Sequence, residues 1–155
     1  MSHIYLAFSY NNSSPISRLI RFFTWGEYSH VALVNPETGL ALESNHSTGV
    51  QLTTLSQFFL RSIPEIRRIP HSSPAEVWSA ATSQIGKEYD MAFLWGWILR
   101  RNWQDPEKWS CSELIAWAAK EGGKGIISDD RISRVVPEHL YMISEKTEVL
   151  DKFLS

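Results

Sequence analysis

The sequence contains a single cysteine, Cys111, among 155 residues. It can form no internal disulfide, and a cysteine-rich zinc site is excluded by count. A lone thiol suits a reducing compartment, so a cytoplasmic location is expected. An excess of either charge is also missing: fifteen Lys and Arg stand against seventeen Asp and Glu, a net charge of −2. Gripping a nucleic-acid backbone requires a basic excess, so no nucleic-acid partner is expected. Long apolar runs are lacking too. The most apolar stretch, Met91 to Leu99, has nine residues, where about 20 are needed to cross a bilayer. The opening Met-Ser-His-Ile-Tyr has neither a basic n-region nor a long apolar h-region, so export by a secretory signal is not expected. Repeats, low-complexity tracts and long polar linkers are absent, and residues 1–155 are expected to fold as one domain.

What is present is an ordinary globular composition, with 43% hydrophobic and 21% charged residues, enough to bury a core without staples. Ile4 to Tyr10 has strand character, and Asn11 to Pro15 is a turn cluster able to start a helix in which Ile16, Leu19, Ile20 and Phe23 recur at helical spacing. Tyr28 to Asn35 and Leu40 to Asn45 form a hairpin around Pro36-Glu37-Thr38-Gly39. A strand at Gly49 to Thr53, a short helix at Leu55 to Leu60 and a strand at Glu65 to Ile69 follow. Helices then take over. Ser73-Pro74-Ala75-Glu76 opens one that runs toward Gly86, Asp90 to Leu99 and Ser112 to Lys120 are the next, and Pro137 to Ile143 is the last. Early strands followed by later helices indicate an α+β domain whose mostly antiparallel sheet is covered by helices.

Three residues stand out chemically. A thiol at a helix start is favoured as a nucleophile by unpaired N–H groups and the axial dipole, and Cys111 lies just before the Ser112 to Lys120 helix. The bland reading is a buried cysteine acting as a small hydrophobe. His30 interrupts an apolar strand, where alternation gives it the face of Ala32 and Val34. It is a candidate base, or else a core-edge histidine with a satisfied hydrogen bond. Glu43, in the paired strand among Ala41, Leu42 and Ser44, is costly to bury without a partner; it is a candidate for orienting the imidazole, or an exposed hairpin glutamate. His3, His46, His71 and His139 are expected at the surface. Tyr89 and Ser110 are candidates for the oxyanion or for substrate binding, Tyr89 being equally suited to core packing, and Asp90 is an expected N-cap. Trp95 joins the substrate candidates. With Phe93 and Trp97 it precedes Arg100 and Arg101 in a stripe that suits helix core, a ligand wall or contact with a membrane surface.

The order of these pieces is informative: Tyr28-Ser29-His30-Val31-Ala32-Leu33-Val34, then Leu42-Glu43-Ser44 with Gly49-Val50, Gly86 to Asp90, Trp109 to Ala116, and Val136-Pro137-Glu138-His139-Leu140. It resembles the circularly permuted branch of the NlpC-type papain-like cysteine hydrolases, the branch related to lecithin:retinol acyltransferase, in which His precedes Cys along the chain. The resemblance implies a papain-like antiparallel sheet or small barrel packed against helices. It also implies Cys111 as nucleophile, His30 as general base, Glu43 as orienting acceptor, no cofactor, and amide, peptide or acyl-ester substrates. Cell-wall peptides are the usual targets of unpermuted relatives, and lipid-directed acyl transfer occurs among permuted ones. Two other classes compete: a non-catalytic binding module that keeps the groove, and a metal site built from His30, Glu43, His46 and Cys111. The oligomeric state is not legible.

Overall fold

The computed structural model describes residues 2–10, 15–24, 26–61, 63–89 and 108–147. The expected turn at Asn11 to Ser14, the Asp90 cap, the Asp90 to Leu99 helix and Trp95 lie outside them. Strand β1 (His3–Tyr10) is followed by helix α1 (Pro15–Thr24), strands β2 (His30–Asn35), β3 (Leu40–Asn45) and β4 (Gly49–Thr54), helix α2 (Leu55–Arg61) and strand β5 (Ile63–Pro70). Helix α3 (Pro74–Thr82), two-residue strands β6 (Glu88–Tyr89) and β7 (Lys108–Trp109), helix α4 (Cys111–Glu121), a 3₁₀ turn at Asp129–Arg134, helix α5 (Pro137–Met142) and strand β8 (Glu145–Lys146) complete the order.

The main sheet has six strands in the order β4-β3-β2-β1-β5-β8, and every neighbouring pair in it is antiparallel. The fold is α+β with a mostly antiparallel sheet, as the sequence indicates. Period-two alternation divides its side chains between two layers. Leu6, Phe8, Val31, Leu33, Leu42 and Val50 form one core with Val77 of α3 and Leu114, Ile115 and Ala118 of α4. Ala7, Ala32, Val34 and Ala41 face the other way, against Leu55 and Phe58 of α2. Small alanines on that face let a short helix sit close to the strands.

The turns follow their residue types. Gly39 takes φ 72° at the end of the β2–β3 turn, where Asn35 Oδ1 accepts from the Glu37 and Thr38 N–H groups at 3.0 and 3.3 Å. This is an Asx-type closure. One surface expectation fails. His71 is 2% exposed, with Nε2 directed at the carbonyls of Ala119 and Lys124, at 3.1 and 2.8 Å, while Nδ1 accepts from Ser73 N–H at 3.0 Å. A histidine with both nitrogens used can be buried without penalty, and here it ties the end of β5 to the C-terminal end of α4. Three short strands, β6, β7 and β8, have no periodicity to announce them.

Candidate active site

His30 is the first residue of β2, at the rim of the sheet. The β2–β3 register pairs Leu33 with Leu42, and continuing it puts Ala32 opposite Glu43, with His30 two residues along on the same face. A diagonal pair of this kind is within reach of long side chains. His30 Nε2 meets Glu43 Oε2 at 2.9 Å. Glu43 is 1% exposed, and its other oxygen, Oε1, accepts from Gln51 Nε2 at 2.9 Å. Gln51 stands directly across the β3–β4 ladder from Glu43. The carboxylate is thus held on both oxygens, which resolves the cost of burying it in an apolar strand.

The imidazole also interacts with Cys111, whose side chain favours its charged form by hydrogen bonding and by charge. Burial works against a charged His30, but hydrogen bonds to Cys111 and Glu43, together with their negative charge, outweigh it and raise its pKa from 6.5 to about 10. The ring is therefore an imidazolium at neutral pH. Phe58 of α2 stacks on it, with centroids 5.8 Å apart and planes 26° from parallel. One nitrogen and one face of the ring are thereby constrained.

Cys111 is the first residue of α4 and is 4% exposed. Ser110 caps that helix: fully buried, it accepts from Glu113 N–H at 3.3 Å through its hydroxyl. The lead-in to the helix is fixed by Ser44, which donates its Oγ–H to the Trp109 carbonyl at 2.5 Å, and by Gln84, which accepts from Trp109 Nε1 at 3.0 Å. Ser44 is the neighbour of Glu43 on the opposite face of β3, so one strand positions both the acceptor and the approach to the thiol. Tyr89 pairs with Trp109 in the parallel β6–β7 ladder and lines the same cavity as His30. Gly49 makes that approach feasible: at φ +72°, its missing Cβ would stand 2.2 Å from the Lys87 carbonyl oxygen, and Val50 N–H donates to that same oxygen at 2.8 Å.

Of the residues singled out from the sequence, Cys111, His30 and Glu43 come together, and Tyr89 and Ser110 lie beside them. Gln51 and Phe58 escaped sequence reasoning. Counting outward from the Asn45–Gly49 turn would have found Gln51, since it pairs 43 with 51. No local signal marks Phe58, which reaches the ring only through packing of α2.

The family described as the permuted papain-like amidase enzymes, YaeF/YiiX, C92 family, matches residues 9–123. The chain belongs to this family. His30, Glu43 and Cys111 all fall within the matched stretch. Among solved structures, the metalloprotein YiiX of Escherichia coli O157:H7 is similar in fold, with a TM-score of 0.62 at 16% identity over 97% of this chain and 91% of that one. No curated protein matches. The neighbour's description raises the question of a metal. In this amidase-family chain no group of three or more His, Cys, Asp or Glu able to hold one gathers among the described residues. Both Glu43 oxygens are occupied by His30 and Gln51, and His46 is exposed in the β3–β4 turn, so the donor set does not fit the four-residue metal site. No helix among the described residues is long and apolar enough to cross a membrane.

Proposed function

We propose that this chain is a cysteine amidase or related acyl hydrolase in which Cys111 is the nucleophile, His30 its proton partner and Glu43 the residue that orients and charges the imidazole. The observation that carries the reading is one imidazole bonded to a buried carboxylate and interacting with Cys111. A core cysteine acting as a small hydrophobe needs no such partner.

The chemistry follows from that arrangement. The Cys111 sulfur, its proton held on His30, attacks the acyl carbon. The oxyanion is met by N–H groups at the start of α4, with the Tyr89 hydroxyl as a further candidate donor. As the tetrahedral adduct collapses, the bond from the acyl carbon to the leaving nitrogen or oxygen breaks, and that atom takes the proton from His30. The thioester remains on Cys111. Water then attacks it, passes a proton to the neutral imidazole, and releases the acid as the carbon–sulfur bond breaks.

Peptide or acyl-bearing small molecules are the substrate class. Incubation with p-nitrophenyl acetate tests the scheme, with the acylated residue located by mass spectrometry. Acetyl on Cys111, its absence in Cys111→Ala and its slower appearance in His30→Ala are expected. An adduct elsewhere, or equal acylation rates with and without the imidazole, would leave the groove as a binding module only.

A further inference from the structure

Beside the His30 ring lies a cavity of about 160 Å³. An apolar protein cavity of about 150 Å³ holds one benzene, so this one accommodates a group of about six non-hydrogen atoms. Its lining is mixed: Ile16 and Ile20 of α1 and Phe58 are apolar, whereas Tyr10, Asn45, His46 and Tyr89 carry polar groups. Ser9, Ser17 and Ser29 line it and are 3%, 7% and 6% exposed, and the Ser17 and Ser29 hydroxyls are bonded to each other, with either oxygen able to be the donor. A serine hydroxyl has one donor and two acceptor sites, so Ser29 keeps capacity for a further partner beside Ser17.

The cavity's contact with His30 bears on which half of a substrate enters it. In the proposed scheme the proton on His30 passes to the leaving atom, so that atom must stand against the imidazole, and the cavity opens on that ring. Its chemistry fixes the kind of group. Among the described lining residues, Glu43 has both oxygens engaged by His30 and Gln51, His30 is engaged by Glu43 and Cys111, and His46 lies exposed in the turn. His30 and Glu43 neutralise one another, so a charged end entering the cavity would lose its water for little net attraction, whereas a neutral polar end would find the serine hydroxyls.

We propose that the cavity holds the leaving half of the substrate, an amine or alcohol of this size that ends in an uncharged hydrogen-bonding group such as a carboxamide. This rests on the cysteine-hydrolase reading and adds a substrate preference to it. By microscopic reversibility, an amine that fits the leaving-group cavity also intercepts the thioester.

Three amines of equal size separate the alternatives: β-alaninamide, β-alanine and n-pentylamine. Each is added during turnover of p-nitrophenyl acetate, and the ratio of acetamide to acetate is divided by that amine's own rate with S-acetyl-N-acetylcysteamine. β-Alaninamide is expected to exceed both others about three- to tenfold, the worth of one or two net hydrogen bonds, and Ser29→Ala to remove the excess. Equal ratios, or a lead for n-pentylamine or β-alanine, overturn the assignment. Absence of a p-nitrophenol burst and of acetyl on Cys111 overturns the catalytic reading instead. Saturation-transfer NMR of the same three amines on the wild-type protein then judges the cavity separately: preferential binding of β-alaninamide supports its assigned chemistry, and no preference refutes it.

Discussion

Replacing Glu43 by Gln tests how the imidazole is held, because it removes a charge while keeping the shape. The Glu43 oxygens sit 2.9 Å from His30 Nε2 and 2.9 Å from Gln51 Nε2. A glutamine at position 43 can still present its carbonyl to His30, and a flip of the Gln51 amide then restores the second bond. What is lost is the negative charge beside the imidazolium. An opposite charge at this range shifts a pKa by roughly 1–3 units, and each unit is about 1.4 kcal/mol. The His30 midpoint should therefore fall from about 10 by roughly 1–3 units. The protein should lose ~1.5–3 kcal/mol of stability, the usual worth of a charge-assisted hydrogen bond. Glu43→Ala should cost more, ~3–5 kcal/mol, because it leaves a buried charge without its counter-charge. The assay is an NMR titration of the His30 ring from acid to pH 11 in wild type and Glu43→Gln, with urea unfolding of all three proteins at pH 7. Superimposable His30 titrations, or a wild-type ring that titrates near 6.5, would refute the reasoning.

Two further outcomes follow from the same geometry. The His30 pKa is raised in the folded state, from 6.5 to about 10, so its stabilising contribution should be complete below pH 6.5 and lost as pH rises through about 10; urea unfolding should show that loss in wild type and a smaller one in His30→Gln. Gly49→Ala places a Cβ 2.2 Å from the Lys87 carbonyl oxygen at φ +72°, so it should destabilise the protein by at least ~2 kcal/mol and slow acylation of Cys111 as the segment bearing Tyr89 moves. A urea midpoint unchanged from wild type would show that this close approach is unimportant.

The elements legible in the sequence are those with a period or a punctuating residue. β2, β3 and their turn follow from apolar runs around Pro36 and Gly39, and α4 from the apolar positions after Ser110. The α+β class follows from their order. β6, β7 and β8 are two residues each, too short to have a period: β6 and β7 exist because Lys87 to Tyr89 and Trp109 are drawn against β4 and one another, and β8 because Glu145 and Lys146 pair with Arg68 and Arg67 of β5. The same distinction holds at the site. Cys111, His30 and Glu43 can be singled out one by one, since a thiol before a helix and polar groups inside apolar strands each violate the local pattern. Phe58 obeys its pattern as the buried position of a short amphipathic helix, so its contact with His30 is invisible until the helix is docked. His71 misleads for the converse reason: it sits after Pro70 in a polar stretch, yet its partners Ala119 and Lys124 are distant in sequence.

Residues 30, 43 and 111 meet because the sheet and α4 share a rim. β2 and β3 are adjacent antiparallel strands, so residues near the start of one lie beside those near the end of the other, which brings position 30 to position 43. The same end of β3 carries Ser44, whose hydroxyl binds the Trp109 carbonyl two residues before the thiol. Alternation then does the sorting: Glu43 points to the imidazole and Ser44 to the chain leading into α4. A one-residue slip in the β3–β4 turn would turn Gln51 to the other face of β4, away from the Glu43 oxygen it holds. The turn is therefore part of the site, and Asn45 holds it locally, with Oδ1 accepting from Ser47 N–H at 3.0 Å while the Asn45 carbonyl accepts from Thr48 N–H at 3.2 Å.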